Sequence, residues 1–566
     1  MPKYFTVIFW FFSVFMIQAQ ADSLRSPLDI PLYLSGTFGE LRTNHFHSGL
    51  DIKTQGKEGL PVYAVDDGYV YRIKISRNGY GKALYIRHPS GLVSVYGHLK
   101  YFNDRIDAYI KQKQYKKQSF EIEVFPYKIE LPVKKGEVIG YSGNTGGSFG
   151  AHLHFELRNL KEHPLNPMAY GIKVADHKRP VVRSVFAYPL DNSSHVNRST
   201  EPVKLNMSKL NDSVYVCDSI LAFGEIGLGI NTYDLQDNSY NKNGLYRIKM
   251  KVNGLTVYEH VMEEFSFFNS HYINTLIDYP YFQKYRKRII KLWVEPYNFL
   301  EIYTQLVNDG KIEVEHEKHY QIVIELSDFD GNKTYVKVPV YGYYFDHLVP
   351  KNPETTPYKV VNGVRSVFNV AGWEVIFLPD TGYFDFYPEI TAQEQQIKVS
   401  AKGVPLHKAF LIKYPLSWID SSKRDYVYLA KKGKKNRKYY VYSVRKNDTL
   451  TAYPKSFGTY TIAYDSLPPY IKPLNFKPQA KLTDYRFLKF KAGDRQTGLK
   501  TYDAYIDGQW ILLEYDYKKN LLTYDFSDLK LSGYKHHLKV VVTDYLGNEK
   551  VFETDFYRKE KNGSAK

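Results

Sequence analysis

The feature that most limits the fold is a succession of short alternating apolar and polar runs, separated by glycines, over residues 30–167. The clearest of these runs are "PVYAVDDGYVYRIKI", "KALYIRHPSGLVSVYGHL" and "HLHFELR". Alternation with a period of two places the apolar side chains on one face of a strand, and glycine-containing turns join such strands into hairpins. The pattern predicts a compact antiparallel β domain.

One segment of this region has a different periodicity. Between Tyr101 and Gln118, apolar side chains recur among charged ones with a spacing close to 3.6, at Phe102, Ile106, Tyr109 and Ile110. That spacing is typical of an amphipathic helix. We therefore expect a helical insertion at about residues 101–131.

The chain after about residue 180 reads as a different kind of β sequence. Two stretches in it resemble each other, and each contains an Asp-x-x-Gly-Asn turn between two β runs, at 328–332 and 544–548. Such turn residues suit a hairpin, and the pattern resembles bacterial immunoglobulin-like domains. We predict two of them, at 180–345 with an insertion and at 468–560, separated by a strand-rich domain of unassigned fold at 355–466.

Length and composition agree with a multidomain β protein. At 566 residues the chain is too long for one hydrophobic core, and its 53 tyrosines and 33 phenylalanines favour pleated, half-buried surfaces. The only cysteine, Cys217, rules out an intramolecular disulfide and a cysteine-rich metal site. We expect a mainly β, multidomain fold in which the compact antiparallel domain is followed by several β-sandwich domains.

The first residues, "MPKYFTVIFWFFSVFMIQAQADS", have the layout of a secretory signal. Lys3 supplies the charge, the apolar run from Tyr4 to Ile17 is shorter than the roughly 20 residues of a membrane span, and small residues follow at Ala19 and Ala21. We predict a signal peptide at 1–20 and an exported mature chain without an integral membrane segment, placed in the periplasm or cell envelope, with secretion as the alternative. An uncleaved N-terminal anchor is the other interpretation.

The net charge of +17 indicates what kind of partner the protein binds. Removal of the signal takes away only Lys3 among the charged residues and leaves +16. In an exported protein this excess points to an anionic envelope polymer more readily than to nucleic acid.

The residues best suited to metal binding or acid–base chemistry are histidines and one carboxylate. His152 and His154 lie two apart in a predicted strand, so their side chains share a face. His47 and Asp51 form a His-x-x-x-Asp spacing, and His98 ends another β run. Imidazole and carboxylate groups are zinc ligands, and a catalytic zinc usually has three protein ligands, which leaves two histidines for acid–base work beside the metal.

These residues lie in motifs that match a known family in order and spacing. "HSGLDI", "GLPVYAVDDGYV", "VKKGEVIGYSGNTGGSFGAHLHFELR" and "HPLNPMAY" resemble the lysostaphin-type (LytM-type) zinc metallopeptidases, which cut peptide bridges in peptidoglycan. The resemblance covers about residues 35–170 and implies a zinc metallopeptidase domain at 21–178.

Carried over by position, the resemblance makes His47, Asp51 and His154 the ligands of Zn²⁺ and makes His98 and His152 the catalytic pair. Which of the two catalytic histidines is the base stays open. The resemblance also implies that peptidoglycan peptide stems are the substrate, while envelope proteins are further partners expected for the C-terminal β domains.

This chain departs from the family pattern at residues 148–152, where "SFGAH" replaces the more usual Ser-Thr-Gly-Pro-His. The insertion after His98 is a second departure. Both changes could reshape the substrate groove. Two alternatives to wall hydrolysis stay open: a regulated or silent wall-binding activator of other hydrolases, and an exported peptidase that acts on proteins outside the wall.

Overall fold

The structure is a computed structural model that describes residues 24–348, 351 and 355–559. The predicted signal peptide, 1–20, lies outside the described residues. Strands predominate and form several separate sheets, which confirms the mainly β, multidomain fold class. None of the helices in the described ranges has both the length and the apolar character needed to cross a membrane.

The N-terminal unit, residues 24–171, contains two sheets. The larger has nine strands with the main order β1-β2-β11-β6-β5-β4-β8, and the smaller has the order β3-β10-β7. A 3₁₀ helix, Pro167–Tyr170, ends the unit. Its other elements are β1 (Leu34–Gly36), β2 (Leu50–Lys53), β3 (Pro61–Tyr63), β4 (Gly68–Ile75), β5 (Lys82–Arg87), β6 (Val93–Leu99), β7 (Tyr101–Phe102), α1 (Asp104–Lys117), β8 (Ile122–Val124), β9 (Pro132–Val133), β10 (Val138–Tyr141), β11 (His152–Arg158) and β12 (Pro164–Leu165).

Helix α1 confirms a helix within the predicted insertion of about 101–131, but it is shorter than predicted, because residues 118–131 contain β8 and turns. The Asn103 side chain caps its first turn by accepting a hydrogen bond from the Ile106 amide, and Gln118 ends it in a left-handed conformation. Ile106 and Ile110 are buried on one face. The helix is therefore stabilised by its apolar stripe, as its periodicity predicts.

The second unit, residues 181–342, is built on one thirteen-stranded sheet. Three short helical segments occupy the insertion between β20 and β21, and a further 3₁₀ turn covers Asn308–Gly310. The elements are β13 (Val181–Pro189), β14 (His195–Val196), β15 (Val203–Lys204), β16 (Met207–Asn211), β17 (Val214–Cys217), β18 (Ile220–Tyr233), β19 (Arg247–Val252), β20 (Leu255–Val261), a 3₁₀ helix (Ser270–Tyr272), α2 (Ile273–Leu276), α3 (Tyr279–Tyr285), β21 (Ile290–Lys291), β22 (Tyr303–Leu306), β23 (Ile312–Val314), β24 (His319–Ser327) and β25 (Lys333–Gly342).

The third unit, residues 366–464, contains two five-stranded sheets around its own core. Three 3₁₀ turns cover Leu416–Trp418, Ser421–Tyr426 and Lys434–Asn436. The strands are β26 (Ser366–Val370), β27 (Trp373–Phe377), β28 (Glu389–Gln393), β29 (Gln396–Ser400), β30 (Leu411–Pro415), β31 (Val427–Lys432), β32 (Lys438–Val441), β33 (Ser443–Lys446), β34 (Thr449–Ala452) and β35 (Gly458–Tyr464).

The C-terminal unit, residues 470–557, contains two four-stranded sheets. Its strands are β36 (Tyr470–Pro473), β37 (Phe487–Gly493), β38 (Leu499–Ile506), β39 (Gln509–Ile511), β40 (Glu514–Asp516), β41 (Leu521–Asp525), β42 (Lys535–Asp544) and β43 (Glu549–Tyr557). Both predicted Asp-x-x-Gly-Asn turns are confirmed as hairpin turns, between β24 and β25 and between β42 and β43. The immunoglobulin-like assignment of the second and C-terminal units stays a prediction.

The C-terminal unit packs directly against the N-terminal unit. Buried apolar side chains of both units form one continuous core. The Tyr115 ring on α1 lies 5.5 Å from the Trp510 ring between centroids, and Lys111 Nζ donates to Asp528 Oδ1 at 2.8 Å. The inserted helix therefore forms part of an interface between distant parts of the chain.

This interface predicts a stability difference between two carboxylates of the C-terminal unit. The Asp528 side chain is 4% exposed and accepts hydrogen bonds from Lys111 and Tyr115. Because Asp528→Ala leaves both donors without this acceptor, we expect it to lower the free energy of unfolding by about 1–3 kcal/mol, measured by urea denaturation with tryptophan fluorescence.

Glu553→Ala is the matched control, since Glu553 forms an exposed pair with Lys539 in the same unit. Exposed pairs contribute below about 1 kcal/mol. Equal losses in the two variants would show that the Lys111 contact does not stabilise the interface.

Candidate metal centre

Three adjacent strands of the large sheet position the predicted site. β11 lies between β2 and β6, and its His154 is directly opposite Asp51 on one side and Gly97 on the other. His152 and His154 share a face of β11, as the alternation predicts. His98 is near the end of β6, so the topology brings the predicted histidines together.

The first predicted set, His47, Asp51 and His154, converges on a single point. Asp51 Oδ1 lies 3.0 Å from His47 Nε2 and 2.9 Å from His154 Nδ1, and the two ring nitrogens are 3.2 Å apart. Both histidines are buried. The structure thus brings one oxygen and two nitrogens within the reach of one ion.

The outer hydrogen bonds of the two rings fix which nitrogen faces inward. His47 Nδ1 donates to the Thr37 carbonyl at 2.8 Å, and His154 Nε2 donates to Glu156 Oε1 at 2.7 Å. A neutral imidazole that donates through one nitrogen presents a lone pair on the other. In this neutral state three lone pairs face one another, and either a cation between them or a proton on one of the ring nitrogens relieves their repulsion.

The electrostatics of His154 agree with this reading. Burial opposes a charge on the ring, yet hydrogen bonds to Asp51 and Glu156 raise the pKa of His154 to about 9. A proton and a metal ion compete for the same nitrogen, so the site favours positive charge at this position. The donor set of two imidazoles and one carboxylate fits Zn²⁺.

A buried carboxylate supports His154 from behind. Glu156 is fully buried, and its Oε1 accepts from His154 and Ser48 while its Oε2 accepts from Arg158 Nε at 2.7 Å. Burial opposes its ionisation, but the charges of Arg158 and His154 hold the pKa of Glu156 below its usual range. The carboxylate fixes the tautomer and the orientation of the ring, as carboxylates behind metal-binding histidines commonly do.

Asp51 is held on its other oxygen by a cation. Arg42 Nη2 donates to Asp51 Oδ2 at 3.0 Å and lies 3.2 Å from Glu40 Oε2. Burial opposes ionisation of Asp51, but the adjacent imidazoles, first His47 and then His152 and His154, hold its pKa well below the usual range. Asp51 is therefore ionised, with Oδ1 left for the centre.

His98 and His152 flank the ligands. Their ring centroids lie 4.8 Å apart, and each donates through Nδ1 to a backbone carbonyl, His98 to Thr145 at 2.8 Å and His152 to Gly150 at 2.9 Å. His152 Nε2 is 3.4 Å from Asp51 Oδ1. Burial first, and then the neighbouring His154 and His152, lower the pKa of His98 to about 3, so its Nε2 presents a lone pair at neutral pH.

Two glycines make the close approaches that the site needs. A Cβ on Gly49 would lie 2.2 Å from the Phe155 carbonyl oxygen, so glycine there lets the His47–Asp51 segment lie against β11. Gly146 has φ of +68°, and a Cβ on it would lie 2.3 Å from the Gly81 amide nitrogen. His98 itself has φ of 59°, an uncommon conformation for a side chain of its size and one found at functional sites.

Glu156, Arg42 and Arg158 were not among the residues predicted from the sequence. Glu156 and Arg158 continue the alternation of His152 and His154, so the period of two in "HLHFELR" already places all four on one face. No comparable sequence signal exists for Arg42, because its contact with Asp51 depends on how the loop before β2 folds.

The support from Glu156 predicts a loss of metal affinity without loss of a ligand. Glu156→Gln keeps the shape of the side chain but removes the charge that orients His154, so we expect zinc affinity to fall about 10- to 100-fold. Competition with a chromogenic chelator measures it.

Glu162→Gln is the control, because Glu162 also accepts from Arg158 but makes no contact with a ligand. Zinc affinity should be unchanged in this variant. An equal loss in both would attribute the effect to Arg158.

Comparison with known proteins adds two family matches. The model of peptidase family M23 matches residues 45–116 and 122–167, which include all five predicted site residues. A Zu5-like domain model matches 381–465, within the strand-rich region whose fold the sequence left unassigned.

Curated relatives match over about a quarter of the chain. The DD-carboxypeptidase/endopeptidase Mpg of Neisseria meningitidis serogroup B is 34% identical over 132 residues, 23% of this chain and 24% of that protein. The cell division protein DipM of Caulobacter vibrioides is 28% identical over 145 residues, 26% of this chain and 18% of that protein. The chain thus spans about a quarter or less of the length of these curated relatives.

Among solved structures, the catalytic domain of the prophage-encoded M23 protein EnpA from Enterococcus faecalis is 25% identical, with a TM-score of 0.19, and the match covers 25% of this chain and 92% of that one. The family match spans the strands that carry the histidines and the carboxylate described above. The N-terminal unit therefore contains the match to peptidase family M23 that the resemblance predicted, and it is called the M23 unit below.

Proposed function

We propose that this protein is an exported, zinc-dependent endopeptidase that hydrolyses the peptide cross-links of peptidoglycan. The observation that carries the proposal is the convergence of His47 Nε2, Asp51 Oδ1 and His154 Nδ1, with two further histidines beside them. The M23 family match and the name of the Neisseria relative, a DD-carboxypeptidase/endopeptidase, support peptide-bond cleavage. Export rests on the predicted signal peptide.

Zn²⁺ held by these three ligands would lower the pKa of a water molecule and polarise the scissile carbonyl. Side chains of the protein then transfer the protons. The Nε2 atoms of His98 and His152 present acceptors beside the ligands, so one of them takes a proton from the attacking water as its oxygen bonds to the carbonyl carbon. The other histidine, which has taken a proton from solvent before the attack, donates a hydrogen bond through Nε2 to the oxyanion. The first histidine then returns the proton of the water to the amine nitrogen as the C–N bond breaks.

The charge of the protein supports a wall substrate. The chain has 77 lysines and arginines against 60 aspartates and glutamates. Peptidoglycan stems contain carboxylates, and a cationic protein concentrates near an anionic polymer through long-range attraction. The same charge favours cell-envelope localisation.

The proposed roles predict different losses for the ligand and the proton-transfer residue. His154→Ala should lose both bound zinc and activity, whereas His98→Ala should retain zinc and lose about 10²- to 10⁴-fold in rate. The measurements are zinc content and the new amino termini released from purified peptidoglycan, with and without a chelator.

His163→Ala is the control, since His163 pairs with Glu264 outside the centre. Zinc binding without cleavage of peptidoglycan or casein would overturn the hydrolase proposal in favour of a wall-binding regulator. Cleavage of casein alone would make the protein a peptidase of non-wall proteins.

The "SFGAH" departure from the family pattern predicts a substrate contact. The Phe149 side chain is fully exposed three residues before His152, and the adjacent Ser148 Oγ lies 3.2 Å from His152 Nδ1. An exposed aromatic ring beside a catalytic residue is available to pack on substrate. Because Phe149→Ala removes a contact made equally in the ground and transition states, we expect KM to rise roughly tenfold with kcat unchanged.

Steady-state kinetics on soluble cross-linked muropeptides measure this change. Tyr127→Ala, an exposed aromatic residue in the insertion of the same unit, is the control. A fall in kcat for Phe149→Ala at unchanged KM would show that the loop acts on the chemistry instead.

A further inference from the structure

Three aspartates outside the M23 site also converge. Carboxylate oxygens of Asp176, Asp234 and Asp328 all lie within 4.8 Å of one another, and the three residues are buried. Asp176 lies in the segment that joins the N-terminal and second units, Asp234 directly follows β18, and Asp328 begins the turn between β24 and β25. We refer to them as the linker aspartates.

The linker aspartates have no basic partner. In the described ranges, no lysine or arginine nitrogen lies within ion-pair distance of any of the three carboxylates. Burial, followed by the charges of Asp176 and Asp328, raises the pKa of Asp234 above its usual range. Like charges held together in a buried place are costly, and either a proton or a bound cation reduces that cost.

Two buried acceptor oxygens, one on a linker aspartate and one on the neighbouring Gln236, have no hydrogen-bond partner among the described residues. Asp234 Oδ1 and Gln236 Oε1 make no hydrogen bond to any described residue, although their side chains are only 3% and 4% exposed. Native proteins rarely leave such buried acceptors unsatisfied without a bound ion or water. Gln236 is not one of the carboxylates, so its amide oxygen is independent evidence for a ligand.

A small cavity lies between these atoms. Its volume is about 20 Å³, and its lining includes all three linker aspartates and Gln236. That volume accommodates about one particle the size of a water molecule. The cavity is therefore the right size for a single ion coordinated mainly by protein atoms.

The C-terminal unit contains an equivalent cluster that differs in one informative way. Asp465, Asp494 and Asp544 also lie within 4.8 Å of one another. There, Asp494 Oδ2 accepts from the backbone amides of residues 496, 497 and 498 at 2.8 to 3.0 Å, and Asp465 accepts from the Thr497 hydroxyl at 2.9 Å. Amide and hydroxyl donors reach the second cluster. In the first, Asp176 accepts from the Lys178 amide and Asp328 accepts from Asn332, but Asp234 Oδ1 has no donor among the described residues.

We propose that the linker aspartates and Gln236 form a structural calcium site between the M23 unit and the second unit. All the available donors are hard oxygens, three carboxylates and an amide carbonyl, and Ca²⁺ prefers such ligands. A further carboxylate, Asp330, also lines the cavity, together with one sulfur atom in the Met168 thioether. No histidine or cysteine, the ligands that favour zinc and copper, is among the described residues that line it.

The site would hold the linker in place relative to the M23 unit. Thr37 and Asn166 of the M23 unit line the same cavity, and Asn332 Nδ2 in the β24–β25 turn donates to the Asp176 carbonyl at 3.1 Å. A cation bound to Asp176, Asp234 and Asp328 would connect the linker to two separate strand ends of the second unit.

The test compares thermal unfolding of the full mature chain in Ca²⁺ and in a chelator selective for calcium, together with equilibrium dialysis against Ca²⁺. The wild-type protein should bind the ion and melt roughly 5 °C higher when Ca²⁺ is present at about 100 times Kd. Asp234→Asn removes one charged ligand and one repulsion, so it should melt at or above the wild-type temperature in chelator and below it in Ca²⁺.

Asp494→Asn is the matched control and should keep the full calcium response of the wild type. Three results would overturn the proposal: no calcium-dependent shift in the wild type, an equal destabilisation by Asp234→Asn in both conditions, or a shift that persists in Asp234→Asn but disappears in His154→Ala. The last would place the ion at the M23 site. A response to Mg²⁺ but not Ca²⁺ would overturn the choice of ion.

Discussion

The candidate metal centre depends on the hydrogen bonds of one fully buried carboxylate, that of Glu156. It accepts hydrogen bonds from His154, Ser48 and Arg158, and through His154 it determines that Nδ1 faces Asp51. Removing an ionised group from water has a large cost, which is offset here by Arg158 and by donors that occupy both oxygens. Because the support lies on the same strand as the ligand, the β11 backbone fixes both together.

The strand pattern of the sequence predicted much of the candidate site and of its surroundings. A period of two placed His152 and His154 on one face, and the same rule extends to Glu156 and Arg158. The periodicity near residue 106 predicted α1, and the turn residues at 328–332 and 544–548 predicted two hairpins. These features are local, so a few neighbouring residues suffice to determine them.

Such local patterns did not predict the contacts between segments that are distant in the sequence. Arg42 contacts Asp51, and Lys111 contacts Asp528, because separate segments are brought together by sheet pairing and by packing between units. The linker aspartates were missed for the same reason, since Asp176, Asp234 and Asp328 are far apart in sequence and only the Asp328 turn was recognised. Alternation predicts which face a residue occupies but not which residue lies opposite it.

Neighbouring units also contact the metal centre. The Thr37 carbonyl accepts from the ligand His47, while the Thr37 hydroxyl accepts from the amide of Gly244 in the second unit at 3.1 Å. On the other side, Lys518 of the C-terminal unit donates to the Ser148 carbonyl at 2.9 Å, in the loop before His152. The orientation of His47 and of the loop before His152 therefore depends on units that contain none of the five predicted site residues.

The ion pair between Lys82 and Glu514 joins positions 432 residues apart. During synthesis the M23 unit emerges before the C-terminal unit, so the apolar side chains that pack between them are not covered by that unit until it has been made. Closing so long a loop is slow, because many conformations must be searched before the contact forms. The second and third units thus form a long connection between two segments that must meet, and the M23 unit reaches its final packing only after the C-terminal unit has joined it.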